Sequence, residues 1–212
     1  MSDGPGRLIT IEGLDGTGKT TLSVALGDAL TARGLPVTRL REPGGVALSE
    51  RIRALVADPE ARIAPHAEAL LFAAARAQLC VERLVPLLAD GQWVILDRFV
   101  DSSLAYQGGG RELGVDVVAG INRVATAGCV PDRTLLLRLD RATGLARLSD
   151  RGEASDRMER ESDAFFARVA ATYDALAADD PQRIRTLDAG LSPDAVLAAA
   201  LDGIADLLPG DA

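Results

Sequence analysis

The apolar run at residues 8–11, Leu-Ile-Thr-Ile, gives way to a glycine-rich stretch and then to apolar positions at Leu22, Ala25, Leu26, Ala29 and Leu30. Three- and four-residue spacing of that kind predicts an amphipathic helix, which Arg33-Gly34 ends. Residues 37–41 read as a second strand, and Glu42-Pro43-Gly44-Gly45 is too rich in Pro and Gly to continue it. A short helix is expected over 49–57, stopped by Asp58-Pro59. A long helical run follows from about 65 to 90, apolar at Leu70, Leu71, Ala74, Leu84 and Leu88, with Gly91 placed to cap it. Trp93-Val94-Ile95-Leu96 is a continuous apolar strand, the kind buried on both faces of a parallel sheet, and it ends in Asp97-Arg98. The pattern then predicts a helix from 102 to 106 broken by Gly108-Gly109-Gly110, a helix over 115–127, and a fourth strand over 134–139 that ends in Asp140. Helices at 141–148 and 165–178 enclose a stretch dense in both charge signs. A fifth strand at 184–187 precedes a last helix, capped by Ser192-Pro193 and running to about residue 208.

Strands alternate with helices throughout, without repeats, linkers or low-complexity tracts. That alternation implies a single α/β domain over residues 1–212, with a five-stranded parallel sheet flanked by helices on both faces. Ligands in such folds bind at the carboxyl ends of the strands, where the glycine-rich loop, the Glu42 loop and Asp97-Arg98 all lie.

Composition narrows the function. With 48% apolar and 25% charged residues the 212-residue chain reads as an ordinary globular protein. No apolar run approaches the roughly 20 residues of a membrane span, and the N-terminus lacks a signal-like segment, so the expectation is a cytoplasmic protein with no membrane partner. A net charge of −8 argues against a nonspecific nucleic-acid surface while leaving room for a local basic pocket. Cys80 and Cys129 match no metal or redox spacing and read as packed thiols. With His66 the only histidine, neither a histidine metal site nor a Ser-His-Asp triad is expected.

The chemistry begins at Gly13-Leu14-Asp15-Gly16-Thr17-Gly18-Lys19-Thr20, which fits G-x-x-x-x-G-K-[ST] and is followed by Thr21. Its glycines let backbone N–H groups converge on phosphate oxygens at a helix N-terminus, Lys19 reaches the terminal phosphates, and Thr20 offers a hydroxyl to Mg²⁺. A glycine-rich turn that merely starts a helix is the plainer alternative. The strand before it and the amphipathic helix after it weigh against that. Lys19 is the only lysine of the chain, so where an arginine-favouring composition fails, a slender point charge among phosphates is the reason. The same fact excludes the guanine-reading N-K-x-D of GTPases. Arg98 follows a buried strand beside Asp97, which reads either as a holder of Mg²⁺ and its water or as a helix-capping carboxylate. Arginine at a strand end suits transfer between two clustered phosphate groups. A P-loop ATPase or nucleotide sensor is the alternative class.

IEGLDGTGKTT, REPGG from Arg41, LLFAAAR from Leu70, DRFVDSSLAYQG from Asp97 and DRMERES from Asp156 together resemble bacterial thymidylate kinase, in the right order and over nearly the whole chain. The resemblance implies the nucleoside monophosphate kinase variant of the P-loop fold, ATP and dTMP as substrates, Mg²⁺ as cofactor and a homodimer. It places Phe72 against the thymine ring and Arg76, Ser103 and Gln107 at the ring's polar edge. Arg98, helped by Arg53, would hold the dTMP phosphate, with Asp15 and Glu42 near the sugar and phosphate, and Tyr106 would crowd the 2′ position. Some members carry an arginine inside the phosphate loop. Here that position is Gly16, and Arg147 and Arg151 match arginines of a mobile lid, at about residues 148–160, that would supply the charge; Ser149 stands where a further arginine often occurs. A kinase for another deoxynucleotide is the same-class alternative.

Overall fold

The computed structural model describes residues 6–149 and 156–209. Five strands form one sheet: β1 (Arg7–Gly13), β2 (Val37–Arg41), β3 (Trp93–Asp97), β4 (Arg133–Arg138) and β5 (Ile184–Asp188). Their order is β2-β3-β1-β4-β5, and every neighbouring pair is parallel. β1 lies at the centre, Ile9 level with Ile95 on one side and with Arg133 on the other.

The sequence pattern predicts burial of both faces, and both are buried. Ile9, Ile11, Ile95, Leu135 and Leu137 pack against α1 (Lys19–Ala32) through Leu22, Leu26 and Leu30 and against α9 (Pro193–Gly203) through Val196 and Ala200. The opposite face packs Leu8, Val94 and Leu96 on Leu79, Cys80 and Leu84 of the helical run that starts with α3 (Pro65–Leu79). Leu136 joins Tyr106 and α8 (Asp163–Asp179), which contributes Phe165, Phe166, Val169 and Tyr173. The remaining helices are α2 (Ala47–Ala57), α4 (Val85–Ala89), α5 (Val100–Ser103), α6 (Val115–Ala125) and α7 (Arg141–Ser149).

Three boundaries differ from expectation. The run over 65–90 is not one regular helix, because Pro86 has no N–H to give to the preceding turn; the chain widens into a π-helical turn at Cys80–Leu84 before α4 resumes. Gly108-Gly109-Gly110 does not break the helix begun by α5, which continues in π-helical form over Leu104–Gly110. Those glycines serve packing instead. A Cβ on Gly110 would lie 2.6 Å from the Phe165 ring, and one on Gly109 would run into the Thr172 hydroxyl. α9 ends at Gly203, not at residue 208, and a short 3₁₀ turn, Ala205–Leu207, completes the chain's last helical stretch. Its start is as expected: the Ser192 hydroxyl accepts from Ala195 N at 3.3 Å, with Pro193 as first helical residue.

Candidate active site

The loop joining β1 to α1 turns through left-handed backbone at Gly16 (φ +81°) and Gly18 (φ +93°), conformations that glycine adopts without strain. A Cβ at Gly16 would collide with the carbonyl of Gly144 in α7, so the position excludes a side chain on two grounds. Lys19 opens α1 and is 8% exposed. Its ammonium donates to the carbonyls of Gly13 (3.2 Å) and Leu14 (2.9 Å) and lies 3.6 Å from the Asp15 carboxylate. Thr20, one residue on, donates to Asp97 Oδ2 at 3.3 Å, which brings together the two residues expected to hold Mg²⁺. Asp97 Oδ1 is buried without a hydrogen-bond partner. An orphaned carboxylate oxygen beside a hydroxyl at the phosphate loop suits a hard divalent cation that takes few protein ligands and completes its shell with phosphates and water. Among the described residues there is no cluster of three His, Cys, Asp or Glu that could hold a metal ion.

Arg98 stands where β3 ends, in left-handed backbone at φ +69°, with its N–H donating to Ile11 O at 3.0 Å. Its guanidinium donates to Gly13 O (3.0 Å), Ser102 Oγ (3.2 Å) and Asp15 Oδ1 (2.5 Å), and it lies over the Tyr106 ring. Burial alone would raise the Asp15 pKa, but Arg98 and Lys19 outweigh it and hold the carboxyl well below the usual range. Below this loop, Glu12 is fully buried and accepts from Phe99 N (2.7 Å), Ser102 Oγ (2.5 Å) and Tyr173 Oη (2.9 Å). Burial, aided by the charge of Asp101, pushes Glu12 up to about 7.

One cavity of about 130 Å³ collects every residue the sequence assigned to the acceptor: Asp15, Glu42, Arg53, Phe72, Arg76, Arg98, Ser103, Tyr106 and Gln107. Their environments differ. Arg53 donates to Pro43 O at 3.1 Å, and Phe72 packs beside Ile52, Val56 and Ala75. Tyr106 is a core residue and a site residue at once, its ring among Phe165, Phe166 and Tyr173 and its hydroxyl 3.4 Å from Asp15. Arg76 is 2% exposed, and its guanidinium donors reach Glu42, Ser103, Asn122 and the Phe99 carbonyl. Those four bonds and an ion pair to Glu42 tie Arg76 to Glu42 and Ser103 at the wall of the cavity. Glu42 Oε1 stays buried and unpartnered.

A second cavity, about 340 Å³, opens on the other side of the loop, lined by Gly16, Thr17, Gly18, Thr21, Arg147 and Leu191 among others. Arg147 reaches it from α7 and donates to Ala189 O at 3.1 Å. Arg151 and the rest of residues 150–155 in the expected lid lie outside the described residues.

The sequence reading omitted Glu12, Glu68, Asn122, Asp156 and Met158. Asp156 and Met158 line the acceptor cavity, and Glu68 and Asn122 are buried partners of its wall residues. Glu12 could have been found as a carboxylate at the end of an apolar strand, and Glu68 as an acid on the helix face shared with Phe72 and Arg76.

Residues 11–200 match the family model for thymidylate kinase. The chain is 47% identical over 207 residues to the thymidylate kinase of Rhizorhabdus wittichii, covering 97% of this chain and 100% of that one. It is 49% identical over 210 residues to the thymidylate kinase of Oenococcus oeni, with 97% and 98% covered. Its structure resembles the crystal structure of thymidylate kinase from Ehrlichia chaffeensis with a TM-score of 0.76 at 27% identity, covering 97% of this chain and all of the other.

Proposed function

The chain belongs to the thymidylate kinase family, and on that premise we propose how its two cavities divide the labour. The enzyme transfers the γ-phosphoryl group of ATP to dTMP, giving dTDP and ADP. ATP occupies the cavity beside Gly16 and Thr21 with its phosphates on residues 13–21, and dTMP occupies the cavity between Arg98 and Phe72. The observation that carries this division is Arg98: a cation held against the phosphate loop by Gly13 O and Asp15 lines the cavity between Glu42 and Phe72, while the other cavity opens on Gly16, Gly18 and Thr21 of the same loop.

The reaction needs no general base, since a monophosphate with its second pKa near ~6 is already mostly ionised at pH 7. Its oxygen attacks the γ-phosphorus in line, so the protein must align two anions and neutralise charge. Lys19 and Arg147 face the donor, Arg98 and Arg53 the acceptor's phosphate. Phe72 offers an apolar face to the base, Arg76, Ser103 and Gln107 offer polar atoms to its edge, and Asp15, Glu42 and Tyr106 bound the sugar. Thr20 and Asp97 would hold Mg²⁺, which when bound would supply neutralisation of phosphate charge. A lid over about residues 148–160, carrying Arg151, a homodimeric assembly and a cytoplasmic setting complete the reading. No helix among the described residues is long and apolar enough to cross a membrane.

The test is a comparison of phosphoryl transfer from ATP to dTMP, dUMP, dCMP and dGMP. The highest kcat/KM is expected for dTMP. ATP hydrolysis without transfer to any of the four would replace this reading with that of an ATPase.

A further inference from the structure

Glu68 lies in the first turn of α3 and is fully buried, a placement that an acidic side chain takes only when its charge is met. Its Oε1 accepts from Gln107 Nε2 at 2.9 Å and from Arg111 Nε at 3.1 Å. Its Oε2 accepts from Arg111 Nη2 at 3.0 Å and faces Arg157 Nη2 at 2.7 Å. Burial alone would push Glu68 up, but Arg111, Gln107 and Arg157 together hold it below the usual carboxylate value. The carboxylate is therefore ionised at neutral pH and has no proton to give.

That fixes Gln107. An amide beside an acceptor-only group must present its NH₂, so its carbonyl oxygen turns the other way. Gln107 lines the acceptor cavity one helical turn from Ser103, and no hydrogen bond from a described residue reaches its Oε1. We propose that Glu68 is a positioning residue for base choice: by locking the Gln107 amide it leaves only an acceptor facing the base, which suits the N3–H of thymine or uracil and opposes the N3 lone pair of cytosine. This rests on the reading of the cavity as the acceptor site. For Gln107 to serve cytosine, its amide would have to flip, and its carbonyl oxygen would then face the Glu68 carboxylate with no proton between them. The same arginines tie the lock to its surroundings: Arg157 is bound to the end of α2 through Val56 O, and Arg111 pairs with Glu161.

The experiment measures kcat/KM for dTMP, dUMP and dCMP in the wild type, Glu68→Gln, Gln107→Leu and the double variant. The amide of Glu68→Gln can donate to a flipped Gln107, so the preference for dTMP over dCMP is expected to fall at least about tenfold. dUMP should follow dTMP, and KM for ATP should stay within about threefold. In the Gln107→Leu background the same substitution should change the preference less than about twofold. Glu68→Asp keeps the charge its arginines need while withdrawing the carboxylate by one methylene, and it should loosen the preference in the same direction. An equal loss for all three acceptors, or failure of both Glu68 variants to fold, would overturn the proposal by making Glu68 a structural anion only. A wild type without preference for dTMP would instead overturn the function. A preference that Gln107→Leu narrows and Glu68→Gln does not would overturn the positioning role alone.

Discussion

Lys19 is held at 2.9 Å from Leu14 O and is nearly buried, yet it fills no apolar volume. Lys19→Ala should therefore leave the far-ultraviolet circular dichroism unchanged while abolishing transfer; normal turnover would remove the phosphate-loop assignment. Arg98 carries a different load, because its partners Asp15 and Gly13 O lie on the loop while its guanidinium faces the acceptor cavity. Arg98→Ala should raise KM for dTMP by roughly ten- to a hundredfold, the scale of a lost charge-assisted pair, and change KM for ATP far less. Equal losses for both would mean that Arg98 does not clamp the acceptor. Glu12 adds a pH effect. Its folded pKa of about 7 lies above the 4.5 of a freely solvated glutamate, so the folded state binds more protons between those limits. The stability this group contributes is full below about 4.5 and is lost as pH rises through 7, a span worth on the order of 3 kcal/mol. Thermal midpoints should fall from pH 5.5 to pH 8, and Glu12→Gln should flatten that slope. An unchanged slope in the variant would assign it to other groups.

At the scale of elements, the clearest case is the π-helical segment Leu104–Gly110 against α8. Gly109→Ala would drive a methyl into Thr172, and overpacking of that kind costs about 1–3 kcal/mol. Thr172→Ala should recover most of the loss, read as urea midpoints in a double-mutant cycle; additive effects would mean the strain lies in the π-turn itself. The same segment marks where sequence reading stops. Alternation of apolar runs was enough for the five strands, most clearly for the central β1, β3 and β4, which their neighbours and the helices on both faces bury, and the glycine-rich loop was legible because phosphate binding demands those residues at that spacing. Three consecutive glycines carry no such signature. By local propensity they end a helix, and only the approach of Phe165 and Thr172 from about sixty residues away makes them part of one. Arg76 shows the equivalent limit in the site. Its position beside the cavity followed from the motif, but the bonds that hold its guanidinium depend on Glu42, Phe99, Ser103 and Asn122, which meet only in the folded chain.

Across the whole molecule, the carboxyl edge of the sheet gathers positive charge onto one line in a chain of net charge −8. Arg98 stands on the acceptor side of the phosphate loop, Lys19 within it and Arg147 on the donor side. The contact of Gly16 with Gly144 sets this arrangement, since it brings α7 down onto the loop and carries Arg147, three residues farther, to the donor cavity. An arginine in the loop itself is sterically excluded: Gly16→Arg would need a left-handed backbone at φ +81° and would strike the Gly144 carbonyl, so it should lower activity and thermal stability together. On the proposed reading, the charge that the loop cannot carry comes from Arg147 and Arg151. If Arg147 supplies it, the interaction strengthens as charge redistributes over the transferring phosphoryl group, and losing it lowers kcat and kcat/KM together, whereas a ground-state contact would appear in KM alone. Arg147→Ala should therefore reduce kcat by roughly ten- to a thousandfold, on the scale of a removed charge-stabilising donor, with a smaller change in KM for dTMP. Near-normal kcat with weaker ATP binding would make α7 a cover for the nucleotide and would move the catalytic charge to Lys19 and Arg98.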